Sequence, residues 1–309
     1  MITIYAPASM GNVSVGFDLL GAALAPIDGS LLGDTVSIEA GGQSLSLKVQ
    51  GPFAHKLPAD PKENIVYQCA QTFLEAKAPN ANVILTLNKN LPVGSGLGSS
   101  ASSVVAAFSA LNDFFDRPYG RDELLLLMGE FEGKISGSIH FDNVAPCYLG
   151  GMQLMLSSPS ALCASMPVMD DWYWVIAYPG ISLSTALMRG LLPEHYPKAT
   201  TLSFGQNLAS FIHALHTQNS DLALSLLKDV IAEPYRADVI PQFTHAKQAL
   251  LAMGLSACGI SGSGPSLFAV TTNQSLALNA KAWLAQHYVT TDTGFVHVCQ
   301  LDTLGSRPL

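Results

Sequence analysis

The residues whose types and spacing are best suited to chemistry lie between Asn88 and Ser103, in the run NKNLPVGSGLGSSASS. Pro92 forces a turn, Gly94, Gly96 and Gly98 follow at alternate positions, and Ser99-Ser100 opens an apolar run of helical length. Glycine lets backbone N–H groups come close to a ligand. The first turn of a helix leaves its own N–H donors unpaired, with the positive end of the helix dipole behind them. Together these favour a bound phosphate. A Walker A loop needs Gly-Lys-Ser/Thr, where this chain has Gly98-Ser99-Ser100. A dinucleotide fingerprint needs a third glycine, where this chain has Ser99. A Gly/Ser linker is the bland alternative, but linkers do not usually join an alternating strand (NVILTLN) to an amphipathic helix.

Other polar groups stand out against an apolar background. Asn12 and Asp18 lie among small residues in APASMGNVSVGFDLL. An Asx turn explains either one, yet a carboxylate at Asp18, preceding Leu19-Leu20 in an expected strand, must be paired or must bind a cation. Asn64 stands where a helix begins, and capping accounts for it. Glu130 and Glu132 end a helix expected over 121–131, where carboxylates oppose the dipole and call for a cation such as Mg²⁺; an exposed helix end is the alternative. His140, Asp142 and Asn143 cluster in KISGSIHFDNVAPCYLGG. Of five arginines, Arg189 and Arg236 follow the helix-breaking passages Pro179-Gly180 and Glu233-Pro234. The planar fork of arginine suits a carboxylate, so two near one pocket imply a small carboxylate substrate; surface salt bridges are the alternative. His213 and His216 are one turn apart but lack the H-E-x-x-H metal motif.

The elements that must position these groups are read from periodicity. Strands are expected at 2–5, 34–39, 44–49, 171–178 and 295–301, and helices from 60, through 115, and at 184–190, 204–217, 222–231, 242–253 and 276–287. The second glycine motif, ACGISGSGPSLFAV, makes a tight hairpin at Gly262 and Gly264 that could press backbone against a ligand. A composition shift at Ser157–Ala164 (SSPSALCA) suggests a linker between two domains, 1–158 and 159–309.

The chain of 309 residues is 49% hydrophobic and only 12% charged, about half the usual charged share, which suggests a surface covered by a second subunit in a homodimer. A net charge of −8 with 15 Lys and Arg and no basic run argues against nucleic acid. The five cysteines are scattered without a C-x-x-C pair, as in reduced thiols of a cytoplasmic protein. The N-terminus has no signal-peptide pattern, and no apolar run approaches a membrane span.

Three stretches, APASMGNVSVGFD, LPVGSGLGSS and GISGSGPSLFA, resemble the GHMP small-molecule kinases along nearly the whole chain. Within that family HFDNVAPCYLGG, AYPGISLSTALMRGLLP and DVIAEPYRADVIP are similar to members that phosphorylate the side-chain hydroxyl of L-homoserine with ATP, a step of threonine biosynthesis. The resemblance implies an α+β fold with an N-terminal S5-domain-2-like nucleotide-binding domain and a C-terminal ferredoxin-like domain. It implies that Pro92, Val93, Gly94, Ser95, Gly96, Leu97, Gly98, Ser99, Ser100 and Ala101 wrap the triphosphate, with Asn64 and Lys89 along the adenosine. Ser100 and Glu132, the latter preferred to Glu130, would hold Mg²⁺. Asn12 and Asp18 would hold the substrate amino group and Arg189 and Arg236 its carboxylate. His140, Asn143 and Arg236 would serve the reacting centre. Asp142 is the only aspartate in position for a base, and none is assigned. A GHMP kinase for mevalonate or a sugar, and a non-catalytic binding protein on the same fold, are the competing readings.

Overall fold

The alternation of Val83, Leu85 and Leu87 with Ile84, Thr86 and Asn88 buries one face of a strand, and this strand leads into the glycine loop. It belongs to a computed structural model that describes residues 1–136, 139–158 and 160–309. The chain begins with β1 (Ile2–Pro7), β2 (Ser9–Gly11), β3 (Leu20–Pro26), β4 (Gly33–Ala40) and β5 (Ser46–Gln50). It continues through α1 (Ile65–Lys77), β6 (Val83–Asn88), α2 (Ser99–Phe114), α3 (Arg121–Ser136) and α4 (Val144–Leu149). After β7 (Met152–Ser158), β8 (Ala161–Met166) and β9 (Tyr173–Tyr178) come α5 (Thr185–Gly190), α6 (Lys198–His216), α7 (Ser220–Ser225) and α8 (Glu233–Arg236). The chain closes with α9 (Phe243–Ala252), β10 (Ala257–Ile260), β11 (Leu267–Thr271), α10 (Gln274–His287), β12 (Phe295–Leu301) and β13 (Arg307–Pro308).

Among the described residues the strands form a five-stranded sheet, β13-β1-β4-β6-β5, and an eight-stranded one, β10-β11-β9-β12-β3-β7-β8, with β2 paired to β3. Apart from β5 with β6, the pairs are antiparallel, which gives the mixed α+β architecture. Helix α2 packs on the first sheet beside α1, α3 and α4, and 13 of its 16 residues are buried. Small apolar and hydrogen-bonded serine side chains let it pack closely, so the glycine loop begins a helix enclosed on nearly all sides. No helix is long and apolar enough to cross a membrane among the described residues.

Several expectations need correction. Asp18 lies in a turn with φ 57°, not in a strand; the strand starts at Leu20. The expected linker at Ser157–Ala164 is the end of the β7–β8 hairpin, with Pro159 outside the described residues. The eight-stranded sheet therefore takes strands from both sides of residue 158. The helix expected over 222–231 stops at Ser225. The Asp229 carboxylate accepts N–H bonds from Ile231 and Ala232, both 2.8 Å, and from Glu233 at 3.0 Å, and so offers the backbone an alternative to helix. Helix α3 runs on to Ser136, so Glu132 faces inward before the helix end instead of closing it. Gly137 and Ser138 of the expected His140 cluster lie outside the described residues. Strand β3 escapes sequence reading because both its faces are buried in small residues, which erases the alternation.

Candidate active site

Gly94, Gly96 and Gly98 all have positive φ, at 67°, 79° and 61°, so the bend needs residues without a Cβ. Space demands the same. A Cβ on Gly96 would stand 2.3 Å from the Ser261 carbonyl oxygen, and one on Gly98 would stand 2.0 Å from Ser9 Oγ. The second glycine motif thus braces the first: Ser261 Oγ donates to the Gly96 carbonyl at 2.7 Å, and Ser266 N–H donates to the Ser95 carbonyl at 3.0 Å. Gly98 begins α2 without a side-chain cap, which leaves the first-turn N–H groups facing the cavity for an anion.

Lys89 anchors this helix start. Its ammonium contacts the Asp34 carboxylate, the Ser99 carbonyl at 2.7 Å and Ser103 Oγ at 2.9 Å, all in the interior. Asp34 also accepts from Ser103 Oγ and from the N–H groups of Asn90 and Leu91. All three lysine donors are therefore engaged within the chain, and only the stem is left to face the cavity. Asn64 caps α1 by accepting from Val66 N–H at 2.9 Å. Its Nδ2 is buried without a hydrogen-bond partner among the described residues, a donor that suits a heteroatom of a bound base or ribose.

On the far side of the loop Ser100 Oγ donates to Glu132 Oε1 at 2.7 Å. Burial pushes the Glu132 carboxyl up to about 7, with Asp142 adding to the rise while Ser100 and Lys89 oppose it. Two hard oxygens side by side suit Mg²⁺, which takes most of its ligands from phosphate and water. Among the described residues no group of three or more His, Cys, Asp or Glu gathers as a metal cage. Asp142 is likewise raised to about 7, chiefly by burial. It accepts from Asn143 Nδ2 at 3.2 Å, and Asn143 Oδ1 accepts from Ser9 Oγ at 2.9 Å. Gly11 and Gly21, a cross-strand pair on β2 and β3, make room for this segment: Cβ atoms there would stand 2.4 Å from Asp142 Oδ2 and 1.6 Å from the Asp142 carbonyl oxygen.

Asp18 and Arg189 meet as a two-pronged ion pair, and His140 Nδ1 lies 3.9 Å from Asp18 Oδ1. Burial lowers the His140 pKa, with Asp18 pulling the other way. Asn12 positions the acid: its Oδ1 accepts the Asp18 N–H at 2.9 Å and its Nδ2 donates to the Gly262 carbonyl at 3.0 Å. Arg236 is 3% exposed and donates to the carbonyls of Met188 at 3.1 Å and Gly262 at 3.2 Å. Among the described residues no carboxylate oxygen lies within 4.0 Å of it. Burial accordingly pulls its pKa below the ordinary arginine value, although Asp229 partly offsets this.

One cavity of about 590 Å³ collects these groups. Its wall takes the glycine loop, Asn64 and Lys89, then Ser100, Glu132, His140 and Asn143, then Asn12, Asp18, Arg189 and Arg236. Three loop residues expected at the triphosphate are not in that wall. Leu97 and Ala101 point into the hydrophobic core, and Pro92 lines a smaller crevice with Phe53 and Tyr178. Sequence reading missed Asp34, whose only local sign is a charge opening a strand otherwise buried on one face.

The cavity thus joins a glycine bend at a helix start, a half-buried acid–serine pair and two arginines in one wall. The chain belongs to the GHMP kinase family, whose members use ATP: the N-terminal domain model matches residues 64–151 and the C-terminal model residues 211–290. A homoserine kinase from Cytophaga hutchinsonii is 31% identical with a TM-score of 0.90, over 100% of this chain and 97% of that one. A Listeria monocytogenes protein provisionally named homoserine kinase is 22% identical (TM-score 0.75), over 100% of this chain and 99% of that one. The mevalonate kinase of L. major, solved with R-mevalonate, is 16% identical (TM-score 0.70), over 97% and 96%. The last two show the fold alone.

Proposed function

We propose that this chain transfers the γ-phosphoryl group of ATP to the side-chain hydroxyl of L-homoserine, giving O-phospho-L-homoserine and ADP. The observation that carries the reading is Arg236, a buried cation in the cavity wall with carbonyl partners and no carboxylate within 4.0 Å among the described residues. A buried charge left this way is costly, and a substrate carboxylate would complete it. The 31% identity to a homoserine kinase over the full length supports the same substrate. A substrate ammonium would give Asp18 a second cationic partner beside Arg189, and mevalonate and neutral sugars carry none.

In this reading the loop amides and the α2 N-terminus hold the phosphates, and Asn64 meets the nucleoside. Ser100 and Glu132 would hold Mg²⁺, which would neutralise charge on the phosphates. The wall of Asp18, Arg189 and Arg236 orients the amino acid so that its hydroxyl faces the γ-phosphorus near His140 and Asn143. The hydroxyl oxygen bonds to phosphorus as the bond to the ADP oxygen breaks, and the proton leaves to phosphate or solvent. Positioning and charge stabilisation suffice for such a transfer, so no side-chain base is assigned. Residues 1–158 would supply the nucleotide site together with Asn12, Asp18, His140 and Asn143 for the acceptor, residues 159–309 would add Arg189 and Arg236, and the low charged share favours a homodimer.

An ADP-release assay across L-homoserine, R-mevalonate and D-galactose tests the reading. L-Homoserine should be preferred, and Arg236→Met should raise its KM on the order of 100-fold while ATP affinity holds. Preference for mevalonate or galactose would refute the acceptor, and no turnover with any of them would favour a non-catalytic binding protein.

A further inference from the structure

We propose that Phe17 sets selectivity for a carboxylate-bearing acceptor by gathering the guanidinium groups of Arg189 and Arg236 on its ring. The inference rests on the acceptor reading given above. The Arg189 Cζ lies 5.9 Å and the Arg236 Cζ 5.6 Å from the centroid of this one ring, which is half-buried in the cavity wall. Two like charges so placed repel, and the pull of Arg189 on the Arg236 pKa is downward. An aromatic face attracts each cation and offsets that repulsion. The bonds of Arg236 itself run to the carbonyls of Met188, the residue before Arg189, and of Gly262; they fix its position from the backbone side, and the ring is what meets both guanidinium groups on the cavity side.

The ring and the acid that serves the amino group come from one pinned turn. Gly16 N–H donates to the Asn12 carbonyl, and Leu20 N–H donates to the Gly16 carbonyl, each at 2.9 Å. Gly16 has no room for a side chain, since a Cβ would stand 2.5 Å from Leu20 Cγ. Phe17 and Asp18 therefore leave neighbouring positions of a rigid support, and the arginine pair is registered on both at once. Arg189 keeps Asp18 as its partner, and Arg236 is held beside it with a fork to offer. The single ring thereby turns two separate cations into one carboxylate receptor.

The test uses the full chain with ATP and Mg²⁺, comparing Phe17→Leu, Phe17→Tyr and Phe17→Leu combined with Arg236→Met. Phe17→Leu should raise the KM for L-homoserine about tenfold, with the KM for ATP and the thermal midpoint little changed. Phe17→Tyr, which keeps the ring face, should restore it. In the Arg236→Met background Phe17→Leu should add less than about twofold, because the ring acts through the guanidinium. An unchanged KM in Phe17→Leu, equal damage in Phe17→Tyr, or a full further increase in the Arg236→Met background would each overturn the proposal. If the wild-type chain prefers mevalonate, the acceptor reading fails but the same comparison runs on mevalonate, which also carries a carboxylate. If it turns over only alcohols without a carboxylate, both fall.

Discussion

Asp18 and Arg189, 171 positions apart, form a fork-to-fork pair with Oδ2–Nη1 2.9 Å and Oδ1–Nη2 3.1 Å. The acid assigned to the substrate ammonium and one arginine assigned to its carboxylate thus hold each other. A bound zwitterion would insert its two charges into this pair and exchange partners with it. The Arg189 Nε, buried without a hydrogen-bond partner among the described residues, shows that the guanidinium is not saturated by Asp18.

The pair should matter for binding more than for stability. Its side chains are 26% and 34% exposed, and such a pair contributes only about 0–1 kcal/mol. Asp18→Asn and Arg189→Met should each raise the homoserine KM about tenfold or more, as expected for a lost charge-assisted bond, with thermal midpoints close to wild type. A large loss of stability without a change in KM would show the pair to be structural.

Lys89 predicts the opposite pattern. Lys89 and Asp34 have side chains 2% and 0% exposed, so removing the lysine strands a buried carboxylate. Lys89→Met should cost about 3–5 kcal/mol of stability, read from urea unfolding. ATP affinity should fall with it, because the same ammonium holds the Ser99 carbonyl at the start of α2. A normally stable variant that binds ATP poorly would instead place the lysine on the nucleotide.

The buried Asp142 makes stability depend on pH. Its carboxyl rises from an ordinary 3.8 to about 7 on folding, so between those values the folded chain keeps a proton that the unfolded chain has released. Stability from this group is therefore lost as pH rises through that window and is level above it. Asp142→Asn removes this slope and also takes away the Asp142 contribution to the rise of Glu132, so the variant's remaining pH dependence is smaller still. Urea midpoints at pH 5 and pH 8 should show the variant gaining on wild type at the higher pH. Parallel midpoints would mean that Asp142 is ionised throughout.

Two glycines should respond to alanine with opposite signs. Gly96→Ala meets both a positive φ of 79° and the Ser261 carbonyl, so it should unseat the loop and abolish ATP binding. Gly205 lies inside α6 with nothing within 4 Å of where a Cβ would stand, and Gly205→Ala should add about 0.5–1 kcal/mol of stability. Calorimetry of the two variants separates loop geometry from helix propensity.

What the sequence determines by itself is the chemistry that neighbours in the chain can express. Pro92, the alternating glycines and the serine-led helix announce an anion site because turn, N–H donors and helix start are all within a few residues of one another. The scarcity of arginine likewise draws attention to Arg189 and Arg236, although spacing by itself leaves a surface salt bridge as an equal alternative for each. The alternation of β6 and the spacing in α1 are local in the same way; β6 forms where the pattern puts it, and α1 begins at Ile65 after a 3-10 turn at Pro61–Glu63 instead of at 60.

Only the tertiary structure decides which of these groups act on a ligand and which on each other. Lys89 finds Asp34 across 55 positions and Asn12 finds Gly262 across 250, and nothing local in the sequence pairs either with its partner. The Asp18 turn and the β7–β8 hairpin also depend on long-range contacts: one is tied to Arg189 and, through Asn12, to Gly262, and the other joins a sheet whose strands come from both ends of the chain. Spacing along a chain encodes propensity and short-range donors. The pairing of buried charges is settled by which surfaces the core brings together.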